Sequence, residues 1–270
     1  MKSQKKLYAA YRKWRSFGLL EEDGIVVGAD LTQEWLLPWW WNHYQRFNSL
    51  AVTFVDFGMS LAMRTWCQER GELIRLLVAD IFVTDKQEID APLIQQWEDI
   101  HGRKFWPSRN AWFKKPLACL QTPYRRSIWI DLDCEIRGPL THLFDLCEHP
   151  SGISIAKELH ELPTEKISYN SGVIIYKRGL SLLEEWADRS MEQNYAFAGD
   201  QNVLSRILRE KDMQVSELPL IYNWSRCSEE NPQAVILHWH GVHGKSVIAH
   251  QMTRANWESL SGYTDDDSIG

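Results

Sequence analysis

Apolar residues in this chain fall into short continuous runs, separated by longer stretches in which they recur every three or four positions. After a polar leading segment that reads as a helix, residues 24–29 (GIVVGA) form an uninterrupted apolar run ending at Asp30, the pattern of a short buried strand. Residues 32–46 read as a helix entered from Thr32, with Pro38 in its early turns. A second strand is predicted at 51–55, closed by Asp56-Phe57-Gly58. Residues 59–70 are amphipathic and stop at Gly71, as a helix with a glycine C-cap does. A third strand follows at 73–78. Residues 86–107 are polar and dotted with tryptophan, and are expected to form an irregular insertion or active-site loop. A helix over 108–121, halted by Pro123, leads into the apolar strand Ser127-Ile128-Trp129-Ile130. Strand and helix segments then continue at 152–156, 171–176, 180–193, 200–210 and 234–239. The alternation predicts an α/β fold with helices on both faces of the sheet. Ligands of such folds bind beyond the carboxyl ends of the strands, where Asp30, Asp56 and Asp131 fall.

Composition narrows this picture. A chain of 270 residues with 44% hydrophobic and 24% charged residues has enough apolar surface for a substantial core. Its formal net charge of -6 argues against general nucleic-acid binding, and the basic residues Lys2, Lys5, Lys6, Arg12, Lys13 and Arg15 read as the solvated face of the leading helix. No stretch approaches the roughly 20 apolar residues of a membrane span, and no signal peptide opens the sequence. Five scattered cysteines without a Cys-x-x-Cys pair indicate neither a disulfide framework nor a structural zinc site, and a reducing cytoplasm is expected. Fourteen tryptophans exceed the needs of an ordinary core. Trp39, Trp40 and Trp41 share one helical turn and must point in several directions, so at least one is expected against a partner element or a cleft.

The candidate chemistry starts at Asp131-Leu132-Asp133. On an extended strand, carboxylates at i and i+2 point to the same side and form a hard anionic clamp suited to a divalent cation. A solvated turn after a buried strand would give the same residues. Four further signals accompany the pair: Lys114-Lys115 on the preceding helix, Asn170-Ser171-Gly172 running into a buried strand, Gly199-Asp200-Gln201 at the mouth of a helix, and His238-Trp239-His240-Gly241-Val242-His243-Gly244-Lys245. Turn chemistry explains the second and an N-cap the third. Three histidines within six residues are harder to explain as packing. The ending Gly244-Lys245-Ser246 is not a phosphate loop, because Trp239 stands where that motif needs glycine.

In this order the motifs resemble those of the GT-A-fold glycosyltransferases, most closely the retaining family 8 type that includes glycogenin and bacterial α-galactosyltransferases. The resemblance spans roughly residues 24–246. It implies a Rossmann-like fold with a mixed central sheet. Residues 24–262 would form a single catalytic domain between an N-terminal helical extension at 1–23 and a frayed acidic tail at 263–270. It also implies that Asp131, Asp133 and His238 bind the metal, with His240 or His243 as possible substitutes for His238. Lys115, or its neighbour Lys114, would face the donor. Gly241 and Lys245 would contact the diphosphate, and Asn170, Ser171 and Gly172 would line the sugar pocket. Asp200 and Gln201 would lie beneath the transferred sugar, and Asp30 would help hold uracil and ribose. Two departures stand out: Leu31-Thr32-Gln33 replaces the family's usual Asn-Tyr, and one extra residue precedes Lys245.

The implied activity is transfer of a hexose from a nucleoside diphosphate sugar, UDP-linked, to a carbohydrate, lipid or protein acceptor, with retention of configuration. Mn2+ is the expected ion, since a histidine ligand disfavours Mg2+. Neither the sugar, the acceptor nor the oligomeric state is legible. Two other classes stay open: a metal-dependent phosphoester hydrolase, and a non-catalytic nucleotide-sugar or carbohydrate-binding protein on the same fold.

Overall fold

The computed structural model describes residues 21–76, 83–158 and 168–255. The leading helix, the end of the third strand at 77–78 and the acidic tail lie outside these residues. Strands β1 (Glu21–Ala29), β2 (Val52–Asp56), β3 (Glu72–Arg75) and β4 (Tyr124–Ile130) run parallel in the order β3-β2-β1-β4. Strand β5 (Cys134–Ile136) leaves the sheet, which is completed by β6 (Ile153–Lys157), β7 (Tyr169–Lys177) and β8 (Ser216–Glu217). The full order is β3-β2-β1-β4-β7-β6-β8. Because β7 is antiparallel to both β4 and β6, the sheet is mixed.

That reversal positions the site. It lays the beginning of β7 against the end of β4, with Ile130 opposite Val173 and the Asp131 amide donating to the Gly172 carbonyl at 2.8 Å. A second, three-stranded sheet does the same for the C-terminal histidines. Strand β10 (Ile236–His238) pairs with β5 and with β9 (Trp224–Ser225), setting His238 opposite Cys134 and Ser225. The Trp239 amide donates to the Asp133 carbonyl at 2.8 Å.

Two apolar cores cover the two faces of the large sheet, and the period-2 alternation of its strands divides between them. Ile25, Val27, Ile128, Ile130, Val173 and Ile175 face helices α1 (Leu36–Tyr44) and α2 (Leu61–Gln68). Val26, Trp129, Ile174 and Tyr176 face the other core. There they meet α4 (Ser108–Leu120), α5 (Ser181–Glu192) and α6 (Asp200–Glu210). Helix α3 (Ala91–His101) lies apart from both cores, and α7 (Gly241–Ala255) follows β10.

Several local expectations change. β1 begins at Glu21, ahead of Gly24, because Asp23 and Arg126 pair across β1 and β4 through two contacts of 2.6 Å. α1 begins at Leu36, since one carboxylate oxygen of Asp30 accepts from the Thr32 amide, the Thr32 hydroxyl and the Gln33 amide and holds that segment in turns. The tryptophan expectation, by contrast, is met: Trp39 and Trp40 are fully buried, while Trp41 packs on Phe54 and Trp66 and lines a cleft with Tyr44, Arg70 and Tyr124. Gly71 adopts no left-handed cap. A Cβ there would come within 2.3 Å of the Val52 carbonyl oxygen, so close approach is what requires glycine. The region 86–107 is largely helical: Leu93, Ile94 and Trp97 on α3 pack with Phe105 and Ala198, so its apolar spacing forms a small separate core.

Candidate active site

Beyond the end of β4 the chain turns at once, so Asp131 and Asp133 sit on the turn into β5 and not on an extended strand. Their carboxylates face different partners.

Asp131 belongs to a buried charged cluster. Lys115 Nζ lies 2.9 and 3.1 Å from its two carboxylate oxygens. The same ammonium reaches the Ser171 carbonyl and hydroxyl, each at 3.1 Å, and stands 3.5 Å from Asp200 Oδ2. Ser171 Oγ donates to Asp200 Oδ2 at 2.8 Å, and the Trp129 indole donates to Asp131 Oδ1 at 2.7 Å. Burial disfavours the ammonium, but Asp131 and Asp200 outweigh it and raise the Lys115 pKa. With two carboxylates against one ammonium, the second acid resists ionisation. Burial, helped by the charge of Asp131 and opposed by Lys115, raises the Asp200 carboxyl above the usual range.

Asp200 is the first residue of α6, which Gly199 caps. Its side chain turns toward Ser171 and Lys115, so it does not serve as an N-cap. Two anchors hold it there. The Trp186 indole donates to its carbonyl at 2.9 Å. Buried Arg109 donates to the carbonyls of Asn194, Phe197 and Ala198, fixing the preceding loop. Gln201 follows on α6, half-buried.

Asp133 faces the other way. Its Oδ1 lies 3.3 Å from His238 Nε2, and its Oδ2 lies 3.5 Å from Lys245 Nζ. Burial opposes the charge of Asp133, but Lys245 and the imidazoles prevail and hold its carboxyl well below the normal range. Gly172 lies under the His238 ring, where an added Cβ would stand 2.3 Å from Cε1. His238 therefore packs against backbone, which leaves its ring little freedom to rotate.

Among the described residues, Asp133, Cys134 and His238 have ligand atoms within 4.8 Å of one another; Asp131 is not in this group. Burial and the neighbouring carboxylates push the Cys134 thiol well above its ordinary range. Two ligand atoms at right angles around a cation with bonds of about 2.1–2.2 Å stand about 3 Å apart. The 3.3 Å spacing of Asp133 and His238 fits a small divalent ion.

The remaining histidines are placed differently. His240 contacts Ser225 Oγ at 2.7 Å through Nε2, and burial lowers its pKa to about 4. His243 lies on α7. Gly241 has φ +80, a left-handed turn between β10 and α7 that favours glycine. Lys114 Nζ is spent on the Phe57 carbonyl at 2.7 Å, which leaves Lys115 as the lysine of the pair that faces the acids. Asp30 and Asp56 both cap turns, the latter accepting from the Gly58 and Met59 amides. A cleft beside the turn is lined by Gln33, Trp112, Lys115, Asp131, Asp133 and Lys245. Sequence reasoning missed Trp129 and Asn223. The first was findable, since it stands two residues before Asp131, whereas no motif marks the second.

The fold is GT-A, the mixed α/β fold of nucleotide-sugar glycosyltransferases. Among solved structures, the chain is similar to galactosyltransferase LgtC in complex with donor and acceptor sugar analogues. The TM-score is 0.55 and the identity 13%, covering 90% of this chain and 96% of that one. It is also similar to mouse xyloside xylosyltransferase 1, with TM-score 0.51 and 16% identity over 81% and 97% of the two chains. Glycosyltransferase GlyE of Streptococcus pneumoniae gives TM-score 0.52 and 15% identity over 87% and 64%. No family model matches the chain, and no curated protein does.

Proposed function

We propose that this protein is a metal-dependent glycosyltransferase that moves a hexose from UDP-sugar to an acceptor with retention of anomeric configuration. One observation carries the reading: residues spread from 115 to 245 in the sequence converge at the end of β4. They form a carboxylate–imidazole pair spaced for a cation, with a buried Lys115–Asp131–Asp200–Ser171 cluster beside it. The likeness to glycosyltransferase structures supports it.

Asp133 and His238 are the residues that would hold Mn2+ or Mg2+, with Asp131 on the same turn as the further ligand expected from sequence. When bound, such an ion compensates the negative charge that grows on the departing diphosphate. Lys245, paired with Asp133 but partly open to solvent, adds a second positive charge at the same place. Asp200 is held by Ser171 and Lys115, which suits it to stabilise positive charge on the sugar ring or to orient the acceptor hydroxyl. Gln201 lies beside it. A solved active-site variant of LgtC carries a glutamine-to-glutamate change, which makes Gln201 a natural companion target.

Among the described residues no helix is long and apolar enough to cross a membrane, and all five cysteines are free. We place the protein in a reducing compartment, the cytoplasm. The deciding experiment incubates it with UDP-hexoses and Mn2+, with and without a panel of glycoside acceptors, and follows UDP release and product anomer. A transferase accelerates with acceptor and retains configuration. Release indifferent to acceptor would instead mark a hydrolase, and no release a binding protein.

A further inference from the structure

We infer that Asn223 is a positioning residue for the cation site: it fixes His238 in the tautomer whose Nε2 lone pair is available to metal. This rests on the metal-dependent reading above. The argument is one of hydrogen-bond polarity. The Gly172 amide, which can only donate, points at Asn170 Oδ1 at 2.9 Å. The Asn170 amide nitrogen donates to Glu158 Oε2 at 2.8 Å, and a carboxylate can only accept. Both ends therefore fix which atom of Asn170 is oxygen. Asn223 faces that oxygen at 2.9 Å and the Asn170 carbonyl at 3.4 Å, so it must present its NH2 there. Its own carbonyl oxygen is then left facing His238 Nδ1 at 3.0 Å. Nδ1 must carry the hydrogen. In the neutral ring Nε2 is then a bare acceptor, 3.3 Å from an anionic oxygen of Asp133. Two acceptors at that distance need a positive species between them: a proton on Nε2 when no metal is bound, or a metal ion in its place.

The relay runs from Gly172 and Glu158 through Asn170 and Asn223 to His238, and every partner is half-buried or buried. Partners of this kind typically set metal affinity by 10- to 100-fold. The Asn223 side chain hydrogen-bonds Asn170 and His238, so its route to the cation site passes through the imidazole.

The test compares wild type with Asn223→Leu and Asn223→Asp, using Mn2+ titration by calorimetry and 15N spectra of histidine-labelled protein without metal, at alkaline pH. The His238 signals are those missing from His238→Ala. The expected result is an Nδ1–H signature in wild type, lost in Asn223→Leu together with about 10- to 100-fold of Mn2+ affinity. Asn223→Asp, which still accepts from Nδ1–H but sets its other oxygen against Asn170 Oδ1, should keep the signature and stay within about threefold of wild-type affinity while its urea midpoint falls. A purely structural role predicts that both variants lose affinity alike, and that result overturns the inference. So does Asn223→Leu with unchanged signature and affinity. Wild type that takes up no Mn2+ overturns the underlying reading instead, and the inference with it.

Discussion

Asp131 and Asp133 stand two residues apart on one turn, yet their carboxylates meet different partners. The Asp131 carboxylate meets an ammonium whose side chain is 4% exposed and closes a network of Lys115, Ser171 and Asp200. Asp133 meets an imidazole and the ammonium of Lys245, whose side chain is 23% exposed. The first carboxylate is neutralised from within the fold. The second is held below the normal carboxylate range by Lys245 and a buried imidazole, and both acids line the same cleft. An Asp-x-Asp motif read as one clamp is here divided between two networks, one centred on Lys115 and one on His238. Breaking the turn out of the strand is what permits the division.

Perturbing one acid at a time tests that contrast. Removing the buried cation should do most. Lys115→Met leaves two carboxylates unpaired in the interior and should cost about 3–5 kcal/mol in urea unfolding. Adding Asp200→Asn should recover part of that loss, because the two sites share one network. An additive pair would mean the cluster is not coupled. Asp133→Ala should abolish metal-dependent turnover while the chain still folds, with a smaller loss of urea stability than Lys115→Met. Unfolding of that variant would erase the distinction between the two acids. Asp200→Asn alone should lower kcat by about 100-fold with donor affinity within threefold, measured by initial rates beside donor calorimetry.

The smallest effect is on pH dependence and lies outside both acids. His43, packed against Trp39 and near Glu135, is buried enough to bring its pKa from 6.5 down to about 4. Its folded-state value is depressed, so between pH 6.5 and 4 the unfolded chain takes up a proton that the native state refuses. Stability should fall through that window as pH falls, and His43→Gln should flatten the slope. Equal slopes in the two proteins would show the imidazole to be freely titrating.

Much of the architecture was legible because period and length suffice for it. The runs at β1, β2 and β4 are buried on both faces, and their shortness and β-branched content mark them as strands. Helix α3 was missed because its apolar residues serve a small core of their own, with Phe105 and Ala198, and its exposed face is polar enough to pass for loop. At the site, identity was legible and partnership was not. The motif order named Asp133, His238, Lys115 and Asp200, but nothing in a linear pattern says that Lys115 chooses Asp131 while Lys114 turns to Phe57. Asn223 was invisible for a related reason. Its value lies in the direction of a hydrogen bond, set by Gly172 and Glu158 far away in sequence.

The central claim concerns where a cation binds, and anomalous scattering at the manganese edge, from crystals soaked in Mn2+ and UDP, addresses it directly. The account predicts one strong peak bonded to Asp133 and His238, in contact with diphosphate oxygens, and none in crystals of Asp133→Ala. A UDP-bound structure with no manganese between those two side chains would contradict it.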